Sequence, residues 1–132
     1  MHPFPLACTA ALGLLLFGLG LAVSLRRVRE RRGAGLPDDP TSPLLKLGRA
    51  HANTAEFAPF LAAVFLYLGM QGPTAVELWL IAAATVARIL IVIGIVAWPT
   101  LEAPNPFRFA GALGTYVFGV GLCLALLARL AA

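Results

Sequence analysis

Apolar positions along the chain fall into four long runs separated by short polar breaks. The runs cover approximately residues 4–25, 43–69, 75–98 and 107–130. At ~1.5 Å per residue each can cross a ~30 Å hydrocarbon core as a helix. The breaks carry start and stop signals. Ser42-Pro43 and Asn105-Pro106 each set a capping side chain before a proline at the first helical position. Thr74-Ala75-Val76-Glu77 has the form of a capping box, which gives Glu77 a place at a helix N-terminus. Gly69-Met70-Gln71-Gly72-Pro73 closes the second run. Within that run, Pro59 deprives the Ala55 carbonyl of its usual partner and predicts a bend. Gly13, Gly18 and Gly20 permit close helix approach in the first run. Trp79 and Trp98 lie 19 residues apart. On a helix that is about 28 Å, the spacing of two interfacial anchors.

Composition strengthens the membrane reading. Of 132 residues, 60% are hydrophobic and 12% charged, against about 25% charged in a soluble domain, and the mean hydropathy is +0.87. The expected fold class is an all-α integral membrane protein: a four-transmembrane-helix bundle forming one domain over residues 1–132, with no room for a separate soluble domain. The first run lacks a basic segment before it, its basic cluster following instead, so it reads as a retained span and not a signal peptide. Cys8 and Cys123 both lie in apolar runs, where a thiol behaves as a small hydrophobe. Neither a disulfide nor a metal site is expected, and no nucleic-acid partner. Orientation follows from counting basic residues. Arg26, Arg27, Arg29, Arg31, Arg32, Lys46 and Arg49 follow span one, Arg108 follows span three, and Arg129 stands alone on the opposite side. The positive-inside rule then puts both loops in the cytoplasm and both termini outside.

One stretch departs from the apolar pattern. Arg49, Asn53 and Glu56 are spaced i, i+4, i+7, on one helix face at the front of span two. A carboxylate in hydrocarbon is costly unless partnered. Arg88 is the only charge in the interior of span three. Glu56 lies 13 residues before Gly69 and Arg88 lies 13 residues after Ala75, so both should sit about 20 Å below the outer surface. This predicts a buried Glu56–Arg88 ion pair, with Asn53 taking up remaining hydrogen bonds; stranding one partner would cost roughly 3–5 kcal/mol. The cytoplasmic half, with Arg26 or Arg27, Arg49, Asn53 and Arg108, suits an anionic ligand held through its carboxylates, or anionic lipid headgroups.

The stretch Arg49-Ala50-His51-Ala52-Asn53-Thr54-Ala55-Glu56-Phe57-Ala58-Pro59 resembles the signature of the MAPEG family, the membrane-associated proteins in eicosanoid and glutathione metabolism. Val23-Ser24-Leu25-Arg26-Arg27 resembles the end of the family's first helix and Ala87-Arg88 its third-helix arginine. Pro106-Phe107-Arg108, with Gly111 and Thr115, resembles the fourth-helix start of bacterial members. The resemblance implies a homotrimer in the bacterial inner membrane, with glutathione as cosubstrate between neighbouring subunits near the cytoplasmic side. Arg26 and Arg49 would hold its carboxylates, and Asn53 and Glu56 its other polar groups, with Arg88 supporting Glu56. Arg108 would be the catalytic residue, favouring the thiolate. A hydrophobic electrophile or lipid hydroperoxide would enter from the lipid.

Three positions depart from the family's pattern. Phe57 stands where a tyrosine often follows the helix-two glutamate, Ile91 where His or Tyr is common, and Ile95 where the eicosanoid enzymes carry a further tyrosine. Two main readings follow: a glutathione-dependent transferase or peroxidase, or a non-catalytic scaffold or glutathione-binding protein of the same fold. A small transporter is a third. Tyr116 reads as packing, His51 as an interfacial residue and Tyr67 as part of the outer aromatic belt.

Overall fold

The computed structural model describes residues 1–131. Four helices follow one another: α1 (Pro3–Arg29), α2 (Pro43–Met70), α3 (Ala75–Val96) and α4 (Pro106–Ala128). All four are long and apolar enough to cross a membrane. Their starts are those written in the sequence. Ser42 Oγ accepts from Leu45 N, and Asn105 Oδ1 from Arg108 N, each just before a proline. Thr74 and Glu77 form the reciprocal capping box.

The ends differ more from expectation. The α1 helix continues through Arg26, Arg27 and Arg29, since arginine is a good helix former and nothing stops the helix before the glycines at 33 and 35. The α3 helix ends at Val96, so Trp98 lies beyond it. Pro99 keeps the residue before it out of the helical region. Trp98 instead packs edge-on against Phe107 at 6.3 Å, and its carbonyl accepts from Lys46 Nζ. The α4 helix ends at Ala128, two residues before the expected boundary. The α2 helix is unbroken through Pro59.

The α2 and α3 helices form the interior, α3 touching all three others, while α1 and α4 flank the pair and do not meet. Lipid-soluble surfaces gain little by burying one another in a membrane, so close backbone approach matters more there. The α3–α4 seam illustrates this. Gly94 faces the backbone of Arg108, and Gly111 faces Ile91 and the Ala87 carbonyl, so closely that a methyl group fits at neither. Of the α1 glycines only Gly20 meets a neighbouring helix, at His51; Gly13 and Gly18 face open space.

Two apolar clusters fill the bundle. One, toward the α2–α3 turn, includes Leu12, Leu61, Phe65, Leu68, Ile81 and Leu122. The other, toward the arginine-rich end, includes Leu19, Ala50, Ile91, Val92 and Ile95. At the turn end Arg129 grips Glu77 in a bidentate pair, both bonds at 2.7 Å, and donates to the Gln71 and Gly72 carbonyls. This clasp ties the end of α4 to the start of α3. Capping alone had been the expected role of Glu77. At the opposite end the two long loops touch, with Leu101 N donating to the Pro40 carbonyl.

Candidate functional site

Between the two apolar clusters lies a polar layer built around Arg88. This side chain is 1% exposed. Its Nη2 donates to the Asn53 carbonyl oxygen at 2.9 Å and to Asn53 Oδ1 at 2.7 Å. Its Nη1 donates to Thr115 Oγ1 at 3.4 Å. The guanidinium also lies over the Phe57 ring, 5.0 Å from its centroid, a favourable placement for a desolvated cation. Thr115 completes the layer by donating to the Gly111 carbonyl.

The expected Glu56–Arg88 pair is therefore corrected. Among the described residues the ion pairs are Arg26–Glu30 and Arg129–Glu77, and Asn53 is the group that grips Arg88. Glu56 is close enough for a favourable through-space interaction with Arg88, but its side chain is exposed on the protomer surface. The physical reason is azimuth. Asn53 and Glu56 lie three residues apart, about 60° around the helix, and only Asn53 is turned to α3.

What Glu56 does instead is line a cavity. A recess of about 580 Å³ opens between α2 and the α3–α4 connection, lined by Arg49, Asn53, Glu56, Ile95, Leu101, Glu102 and Arg108, with Leu45 and Ala52. Four of the expected ligand-contacting residues meet there: Arg49, Asn53, Glu56 and Arg108. Arg108 Nη1 donates to the Leu101 carbonyl at 2.8 Å, which holds the guanidinium at the rim and leaves its other N–H groups for a ligand. Its place in the first turn of α4 adds the positive end of the helix dipole. Glu102 was not singled out from sequence; its position in the short polar connection beside Arg108 was the available signal.

Arg26 does not line this cavity. It sits at the end of α1, paired with Glu30 at 2.7 Å. The neighbouring groove between α1 and α2 is lined by Ser24, Arg27, Leu36, Gly48 and His51 among others, so His51 faces α1 and not the cavity. A third recess, apolar and of about 280 Å³, runs between α2 and α4 and shares Glu56 with the first. Phe57, Tyr116 and Cys123 line it, with the Phe57 and Tyr116 rings edge-to-face at 5.9 Å. Tyr67 is exposed near the end of α2.

The departures from the family pattern are packed differently from one another. Ile91 is buried in the apolar cluster, whereas Ile95 belongs to that cluster and also forms part of the cavity wall. Both cysteines are free thiols.

Comparison with curated proteins and with solved structures returns no match. The model of the MAPEG family matches residues 5–128, nearly the whole chain. With four helices of spanning length and a match of that extent, the chain belongs to the MAPEG family.

Proposed function

We propose that this protein is a membrane-embedded, glutathione-dependent transferase or peroxidase that acts on hydrophobic electrophiles or lipid hydroperoxides. The observation that carries the reading is the shared cavity of Arg49, Asn53, Glu56 and Arg108. Its 580 Å³ falls within the ~300–1,000 Å³ typical of small-molecule sites. Its chemistry fits a tripeptide with two carboxylates and an ammonium: arginines for the former, Glu56 and Glu102 for the latter.

Each residue then has a task. Arg49 binds a carboxylate at the mouth, and Glu56 accepts hydrogen bonds from nitrogen donors. Arg108, held at the rim through Leu101, stabilises the thiolate over the thiol by opposite charge, and the α4 N-terminus adds to that field. Bound glutathione supplies a nucleophilic sulfur that adds to an electrophile or reduces a hydroperoxide. The apolar α2–α4 recess beside Glu56 suits the acceptor, which enters from lipid.

The set is incomplete within one chain, because Arg26 does not line the cavity and is paired with Glu30. A second copy presenting its α1 end supplies it, which favours the homotrimer that the family resemblance implies. The little-buried outer faces of α1 and α4 leave room for such packing. Eight basic residues at the cavity end against Arg129 at the other favour a cytoplasmic cavity by the positive-inside rule, and the resemblance to bacterial members favours an inner membrane.

A second reading, a glutathione-binding scaffold without turnover, is favoured by Ile95, which lines the cavity with hydrocarbon where related enzymes carry a hydroxyl. One experiment separates the two. The detergent-purified protein and its Arg108→Ser variant are compared for glutathione binding and for conjugation of a generic electrophile. Turnover in the parent, reduced at least tenfold in the variant, supports the enzyme. Binding without turnover in either supports the scaffold, and absence of binding removes both.

A further inference from the structure

We infer that Arg88 is a positioning residue that fixes Asn53 as a hydrogen-bond donor toward the cavity, so that Asn53 recognises a carboxylate or carbonyl oxygen of the ligand. The inference rests on the proposed glutathione site for the identity of that ligand, but not for the orientation of the amide. A guanidinium has five N–H donors and no acceptor. The Asn53 side-chain atom that meets Arg88 Nη2 at 2.7 Å must therefore be the oxygen. The same Nη2 also reaches the Asn53 main-chain oxygen at 2.9 Å, so side chain and backbone form a two-point clamp on one nitrogen.

An asparagine amide can ordinarily turn over and offer either end. Here one end is committed, and turning it over would set NH₂ against a donor-only guanidinium whose residue is itself 1% exposed. The nitrogen is what remains. Asn53 lines the cavity, and among the described residues its Nδ2 makes no hydrogen bond and is not sealed from the surface. The lining is thereby sorted: Arg49, Asn53 and Arg108 donate, Glu56 and Glu102 accept.

Arg88 itself is behind the wall. It is held by Thr115 and the Phe57 ring as well as by Asn53, and it does not line the cavity. Its influence on a ligand passes through the amide. This separates it from Arg49 and Arg108, which touch the ligand space directly.

Asn53→Asp tests the idea. Aspartate is close in shape, keeps an oxygen for Arg88 and strengthens that bond by charge, but it turns an acceptor to the cavity where the amide had a donor. In detergent, the variant should melt no lower than the parent, while glutathione affinity by titration calorimetry falls at least tenfold. In an Arg88→Met background, Asn53→Asp should instead lower the melting temperature, because the carboxylate loses its cation. Unchanged affinity in Asn53→Asp would overturn the donor assignment. Equal melting shifts in the two backgrounds would overturn the clamp. Should the parent not bind glutathione, the proposed function fails, and the clamp is still decided by the two melting shifts.

Discussion

Replacing Gly111 with alanine should separate α3 from α4 and displace the candidate site without touching any of its side chains. A Cβ at Gly111 would lie 2.4 Å from Ile91 N, 2.7 Å from Ile91 Cβ and 2.8 Å from the Ala87 carbonyl oxygen. Real Cβ contacts essentially never fall below 3.0 Å, so the nearest atom must retreat by at least 0.6 Å, the difference between 3.0 and 2.4 Å. That atom is backbone on the central helix, and it can retreat only if α3 moves. Overpacking of this kind costs typically 1–3 kcal/mol, and a backbone obstruction belongs at the upper end. The Arg88–Thr115 bond, already 3.4 Å long, spans the same seam and would lengthen. Two neighbours on α4 give graded controls. At Gly114 the nearest atom to a Cβ is the Ala87 methyl at 2.9 Å, and at Gly119 nothing lies within 4 Å. Thermal melting in detergent, followed by Trp79 and Trp98 fluorescence, should rank the alanine variants Gly111 well below Gly114, with Gly119 at or above the parent. A Gly111→Ala protein that melts with Gly119→Ala would refute the close-packed seam.

Other expectations follow from the same geometry. Glu56→Gln should change stability by less than about 1 kcal/mol, because an exposed carboxylate without a hydrogen-bonded partner is removed, whereas Asn53→Leu should cost roughly 1.5–3 kcal/mol by removing the side-chain acceptor of buried Arg88; chemical denaturation of the two variants compares them. Arg129→Ala leaves the 5%-exposed Glu77 without its cation and frees the Gln71 and Gly72 carbonyls, so the melting temperature should fall and limited proteolysis at the α2–α3 turn should accelerate. The Asp39 carboxylate accepts from Thr41 N at 2.9 Å and Thr41 Oγ1 at 2.7 Å, bonds that hold its pKa below the usual carboxylate range. A depressed folded pKa means the turn's stabilisation is present above the ordinary aspartate pKa and is lost as pH falls through the lowered value. Hydrogen exchange at the Thr41 amide should show protection at neutral pH that is lost as pH falls through the lowered Asp39 pKa, and Asp39→Asn should abolish that acid dependence.

Much of the architecture was legible in the chain because the governing physics is local. Run length sets spanning helices, and Ser42-Pro43, Asn105-Pro106 and Thr74–Glu77 set their starts within a residue or so. Trp98 misled as a helical anchor because apolarity continues past the point where Pro99 forbids the helix. Arginines 26 to 29 looked like loop because charge was counted for topology, though arginine favours helix as well. Depth was readable too: residue counts from the tight turn correctly brought span two's polar stretch level with Arg88. Azimuth was not. Whether Asn53 or Glu56 faces Arg88 depends on the rotation of α2, which α1 and α3 set together through Ala50, Ala58 and Leu61. Arg129 and Glu77 likewise meet only because the end of α4 returns to the start of α3, and no sequence spacing encodes that contact.

The choice of asparagine over glutamate as Arg88's partner has a chemical consequence for the cavity. A carboxylate bonded to Arg88 through one oxygen would turn its second oxygen to the cavity and could offer a ligand no donor there. A neutral amide holds the cation with its oxygen alone, while Phe57 spreads favourable ring charge over the guanidinium face. Phe57 brings no polar group to the layer and still helps hold it, because the ring face is the part in contact with Arg88. Glu56, left outside this layer, keeps its full acceptor strength toward the cavity it shares with Arg49 and Arg108. A single helix face thus carries both groups: Asn53 holds the buried cation through its oxygen, and Glu56, outside that layer, lines the cavity beside it.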